Sequence, residues 1–164
     1  MPPLVLCKLL VERVSCPRPE AGAVVIRGAS GAVASDRAAV RGLAEACRRA
    51  GGGGFERLTA AGLAAEFGSR PGRRVRAWLG ALDGVGSPIG AVTLVVAGPP
   101  PGRCSIGWLL VHPSARRRGV ATALVAHALD TAQAIGHDTV CIETLSSWAD
   151  SVAFWHAMGF VARD

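Results

Sequence analysis

The chain contains no tyrosine, one lysine (Lys8) and only 5% aromatic residues among 164 positions. The missing phenol removes one common side-chain acid, and sparse aromatics argue against a stacking surface for nucleic acid. Charged residues amount to 18% and apolar ones to 50%, which suits a folded domain and not a disordered chain. No apolar run approaches the roughly 20 residues that a membrane span needs. The five cysteines (Cys7, Cys16, Cys47, Cys104 and Cys141) are odd in number and include no CxxC. No Cys/His set has zinc spacing, so no metal is expected, and the cysteines read as free thiols in a reducing cytoplasm. The opening MPPLVLCKLLVERV lacks a basic start and is interrupted by Lys8, Glu12 and Arg13, unlike a secretory signal. Large Leu6 before Cys7 speaks against lipidation. A soluble, cytoplasmic protein of one domain is expected, with no internal repeat.

What is abundant is arginine. With one lysine among the 18 basic residues, 17 are arginines, and the formal charge is +6. A solvated basic face accounts for most of them, because they are dispersed along the chain. The cluster Arg116-Arg117-Arg118 is the exception, and a basic site of this kind favours anionic ligands.

The periodicity predicts an α/β (α+β) order of elements. Residues 4–14 lean towards a strand, and a breaker region follows to Gly22. Ala23–Arg27 reads as a buried strand, and Ser35-Asp36 as the cap of a helix over about 36–50. A second helix is expected over about 55–67. Three strands follow, at 75–82, 89–97 and 105–112, the first two as a hairpin. A long helix from about Gly119 to Ile135 leads to a strand at 139–145 and a last helix over about 149–158. The antiparallel meander followed by β-α-β implies a mixed, mostly antiparallel central sheet with helices on both faces.

The chemistry starts where the third meander strand meets the long helix. Pro113 ends the strand, Ser114–Arg118 form a short loop, and Gly119 and Ala121 follow as the helix opens. A helix N-terminus presents free N–H groups and positive dipole, and so suits phosphate. Gly119 allows close backbone approach, and Arg116–Arg118 can add charge-assisted bonds. An ordinary basic loop with a glycine cap has the same short pattern; the flanking strand and apolar-faced helix favour the phosphate reading.

Val111, Pro113, Arg116, Gly119, Ala121 and Leu124 stand at the spacing of the best-known signature of the GNAT superfamily of N-acetyltransferases, which the chain resembles. Trp155, Gly159 and Phe160 match a second signature, the C-terminal helix ending in aromatic-x-x-x-Gly-Phe. Ile26-Arg27 followed by Asp36 matches a weaker third. The resemblance spans residues 23–164 as a GNAT domain, preceded by an extension, 1–22. It implies acetyl-CoA as acyl donor and a primary amine of a small molecule, peptide or protein N-terminus as acceptor. It further implies that the amides of Arg117, Arg118, Gly119, Val120, Ala121 and Thr122 hold the pyrophosphate. The backbone of Leu109, Leu110 and Val111 would pair with the pantetheine arm, and the Leu109 amide would donate to the thioester carbonyl.

An attacking amine must lose a proton. Glu143 lies on the strand at 139–145, next to the place where the resemblance implies that the strand at Leu109–Val111 splays from its neighbour, and is the candidate base; an ordinary polar strand residue would look the same. The spacing from Glu143 to Trp155 resembles that between base and tyrosine acid in the ribosomal-protein alanine acetyltransferases of this superfamily. Trp155 has no ionisable hydroxyl, so its place in the coenzyme site carries no acid. His156, His112 or a thiol could substitute, although solvent-facing and loop roles suit the two histidines. Trp148 stands where relatives often carry an asparagine that steadies the pantetheine.

Family members usually continue past Gly-Phe with two strands lining the acceptor site, whereas Val161–Asp164 follow here. Residues 4–14 are the candidate replacement, beside 139–145 in the same chain or across a homodimer; a truncated product is the other reading. An N-acetyltransferase is the leading function. A non-catalytic acyl-CoA-binding or regulatory module is the alternative, and an arginine-driven nucleic-acid binder ranks last.

Overall fold

The computed structural model describes residues 3–10, 24–51, 62, 67–82 and 86–163. The strands are β1 (Leu4–Leu9), β2 (Val24–Ala29), β3 (Arg73–Leu82), β4 (Gly90–Ala97), β5 (Arg103–Val111), β6 (Thr139–Thr144) and β7 (Val161–Ala162). The helices are α1 (Ala34–Ala50), α2 (Val120–Ala134) and α3 (Ala149–Ala157). The strands form a mixed α/β architecture around one seven-stranded sheet of order β2-β3-β4-β5-β6-β1-β7. All neighbours pair antiparallel except β5 and β6, whose connection through α2 is the crossover that a parallel pair requires.

The sheet divides two apolar cores. β4, GAVTLVVA, is buried at every position from Gly90 to Val96, as befits an inner strand covered on both faces. On one side α1 contributes Val40, Leu43, Ala44 and Cys47, one face of the helix at i, i+3, i+4 and i+7. On the other, α2 contributes Val120, Leu124, Val125, Ala128, Leu129 and Ala132, joined by Trp155, Met158 and Phe160 from the end of the chain. No described helix is long and apolar enough to cross a membrane.

Three features differ from the sequence reading or extend beyond it. Asp36 is not the cap of α1: the helix starts at Ala34 after Val33, which makes no side-chain cap bond. The Asp36 carboxylate instead turns back to accept the Ser30 N–H at 3.0 Å and to pair with Arg27 at 2.8 Å. The cysteines are not all free. Cys7 and Cys141 face each other across β1 and β6 and form a disulfide, at a sequence separation of 134. Only the strand register brings them together, so no local spacing announces the pair. Cys47 and Cys104 are free and buried, and Cys16 lies outside the described residues. The expected helix at 55–67 also lies mostly outside them; Gly62 and Phe67 are helical.

β1 pairs with β6 over all six residues, from Leu4 opposite Thr144 to Leu9 opposite Thr139. β7 then adds to the far side of β1, with Leu6 opposite Ala162 and Cys7 opposite Val161. One chain supplies all these strands. The N-terminal strand thus lies inside the sheet, between two elements from the other end of the sequence.

Candidate functional site

β5 and β6 touch at one point. Their single parallel pair is Ser105 with Cys141, and beyond it the strands separate. A cleft of about 860 Å³ opens there, walled by β5, β6 and α3 and closed at one end by the start of α2.

A β-bulge sets the phase of β5 at this point. Val92 pairs with Leu109 and Leu94 with Ile106, so Thr93 alone faces Gly107 and Trp108. The extra residue reverses the alternation. Before it, Cys104 and Ile106 pack on the α2 side; after it, Leu109 and Val111 do. Trp108 and Leu110 turn to the α1 side, where Trp108 stacks on Phe67 with ring centroids 6.0 Å apart. The Trp108 N–H donates to Thr93 Oγ1 at 3.0 Å.

β5 ends at Val111, just before Pro113. The tight turn Pro113–Ala115 is capped by His112, whose Nδ1 accepts the Ser114 N–H at 3.2 Å and lies 2.7 Å from its hydroxyl. His112 therefore shapes the loop. Next, Arg117 adopts φ 62° and Gly119 φ 77°, both left-handed. Such a conformation is costly for arginine and concentrates at sites where the backbone must present its N–H groups. The helix makes its first backbone bond from Ala123 N to Gly119 O at 3.0 Å. Among the described residues, the six amides from Arg117 to Thr122 donate to nothing. α2 has no acidic residue in its first turn. Unpaired amides, the positive end of the helix and adjacent guanidinium groups make a concavity suited to phosphate oxygens.

Val111, at the end of β5, is tied to α1. The Cys47 thiol donates to Val111 O at 3.3 Å. Burial pushes the thiol pKa up, against the opposing pull of the Arg116 guanidinium and that bond. Burial also raises the Cys104 thiol, to about 11. Both are protonated at neutral pH, so neither is poised as a nucleophile.

Of the residues singled out in the sequence, Leu109, Val111, Arg116, Arg117, Gly119, Val120, Ala121, Thr122, Glu143 and Trp155 line the cleft. Leu110 does not, since its side chain is fully buried in the α1 core. Arg118 is exposed but lies outside the lining. Glu143 is exposed on β6, opposite Val5. Trp155 is buried and packs edge to face against Phe154 and Phe160, at 5.0 and 5.1 Å. The exposed His156 has Nδ1 2.9 Å from Phe160 O. Sequence reasoning missed Trp108, Asp150, Ser151 and Phe154 in the lining. Thr144 also lines it, with its hydroxyl 3.2 Å from that of Ser151. Only Trp108 had a local signal: Gly107 before it marks a bulge candidate.

No curated protein sequence matches the chain significantly. Among solved structures, a tandem GNAT protein from the clavulanic acid biosynthesis pathway matches 99% of the chain with TM-score 0.69 at 18% identity. The chain spans 50% of that protein's length. An aminoglycoside N-acetyltransferase in complex with CoA matches 89% of the chain and 93% of its own, with TM-score 0.64 at 18% identity. An acetyltransferase of Trypanosoma brucei matches 86% of the chain and 94% of its own, with TM-score 0.60 at 22% identity. At these identities the likeness is one of fold. The family model of the acetyltransferase (GNAT) family matches residues 43–160, from α1 through the cleft to Phe160. The chain belongs to the acetyltransferase (GNAT) family.

Proposed function

We propose that the protein is an acetyl-CoA-dependent N-acetyltransferase acting on a primary amine of a small molecule, peptide or protein N-terminus. The observation that carries this reading is the row of unpaired amides from Arg117 to Thr122 at the mouth of the cleft. Their fit to a coenzyme is chemical: left-handed backbone at Arg117 and Gly119 turns N–H groups outward, and Arg116 and Arg117 supply counter-charge. The acyl donor, when bound, supplies a thioester carbonyl open to attack and a thiolate leaving group.

The chain's own residues then have distinct tasks. Amides 117–122 hold the diphosphate, with Arg118 as an outlying charge beside the lining. The β5 backbone from Leu109 to Val111 guides the arm, and the Leu109 amide donates to the carbonyl oxygen as negative charge builds there. Glu143 takes the ammonium proton, so that the nitrogen lone pair can form the new C–N bond while the C–S bond breaks and its electrons leave with sulfur; the second proton, acidified on nitrogen by the attack, passes through solvent to the departing thiolate. Trp155 shapes the apolar wall and supplies no proton. We place the reaction in the cytoplasm on the ground of its acyl-CoA supply alone, since the Cys7–Cys141 disulfide removes the argument from free thiols.

The absence of a hydroxyl acid at Trp155 favours a second reading, an acyl-CoA-binding module without turnover. Calorimetry with CoA, followed by thiol-release assays with acetyl-CoA and a panel of amines, separates the two. Binding with amine-dependent thiol release is the expected result. Binding without release for any amine selects the second reading, and no CoA binding rejects both.

A further inference from the structure

Thr93 has no part in the cleft as described, yet it is a fully buried polar residue at the point where β5 changes phase. Its hydroxyl accepts the backbone N–H of Trp108 at 3.0 Å, at the bulge. Gly107 makes room for that contact. A Cβ on Gly107 would lie 2.6 Å from Thr93 Oγ1 and 3.0 Å from Val95 Cγ2. Three residues therefore fit one device: Gly107 leaves the space, Thr93 fills it with an acceptor, and the Trp108 amide is held by it.

We propose that Thr93 is a positioning residue for acyl transfer, its buried hydroxyl holding the bulge that sets the phase of β5 from Leu109 onward. The proposal rests on the reading of Leu109 as the carbonyl donor. Thr93→Val keeps the shape of the side chain and removes the acceptor that holds the part-buried backbone N–H of Trp108. The strand can then relieve that loss by shifting its register, which moves the Leu109 amide. Carbonyl stabilisation depends on sub-ångström placement of the donor, so turnover suffers while pyrophosphate binding, at the other end of the cleft, does not.

The test compares Thr93→Val and Thr93→Ser with the parent protein, using acetyl-CoA and the amine turned over fastest. Thr93→Val should lower kcat about tenfold or more while KM for acetyl-CoA stays within about twofold, and Thr93→Ser should restore kcat to within about threefold. Amide hydrogen exchange gives a readout free of turnover. The Trp108 amide should be strongly protected in the parent protein and in Thr93→Ser, and exchange at least about tenfold faster in Thr93→Val. A Trp108 amide that exchanges freely in the parent protein overturns the proposal even if Thr93→Val does not fold. Unchanged kcat in a folded Thr93→Val does so too, as does a serine variant as impaired as the valine one. A parent protein without turnover on any amine defeats the enzymatic reading instead, and leaves the exchange result to decide whether Thr93 holds the bulge.

Discussion

At the scale of single residues, the left-handed backbone at Arg117 and Gly119 shapes the proposed anion site. Gly119 sits at φ 77° as α2 begins, where a side chain costs about 1–2 kcal/mol in conformation alone. Gly119→Ala adds that strain and, on the proposed reading, places a methyl group in the path of the diphosphate. Calorimetry should find its CoA affinity reduced at least about tenfold, with the fold retained. Asp36 offers a second test, remote from the cleft. Burial raises its carboxyl, but the bonds from Arg27 and Ser30 and the charge of Arg27 outweigh burial, and the pKa falls below its ordinary 3.8. A depressed folded value means the stabilisation is complete above the unfolded pKa and is lost as pH falls through the folded one. Urea midpoints of the parent protein should therefore drop as pH goes below about 4, and those of Asp36→Asn should change less over the same range.

At the scale of elements, the long helix α2 both closes the core and presents the cradle. Leu124, one turn below the cradle, is fully buried between sheet and helix. Leu124→Ala should cost about 2–5 kcal/mol in denaturant unfolding, with an unchanged m-value. The elements themselves were largely legible. The apolar faces of α1 and α2 and the meander of β3 to β5 follow from periodicity, because each buries one stripe or one face. The turn at Val111–Gly119 was legible too, since proline and glycine act locally. The phase of β5 was not. Read as a regular strand, Ile106 and Trp108 share a face; one inserted residue puts them on opposite sides, and the acceptor that accommodates it, Thr93, lies on another strand. Capping of α1 was misread for a similar reason, as the Asp36 carboxylate found Ser30 and Arg27 instead of its own helix.

At the scale of the molecule, the cleft exists because β5 and β6 share one pair and then part, and the far wall is held by strands from both ends of the sequence. The Cys7–Cys141 link ties β1 to β6 at that wall. Closing so long a loop restricts the unfolded chain, and Cys7→Ser should lower stability by about 2–5 kcal/mol. Peptide mapping without reductant should recover the linked pair; two separately alkylated thiols would refute the pairing. Neither the link nor the cleft-lining role of Asp150, Ser151 and Phe154 could be read from spacing, since each depends on contacts between distant segments. The placement of β1 also governs the order of assembly. Among the described residues, Leu4–Leu9 pairs with strands at 139–144 and 161–162, so during synthesis this strand waits for partners more than 120 residues further along to emerge. Until then its apolar edge is exposed, and contacts so distant in sequence form slowly. The completion of the sheet is therefore a late event, and the cleft wall bearing Glu143 is consolidated only when β1 meets β6 and β7.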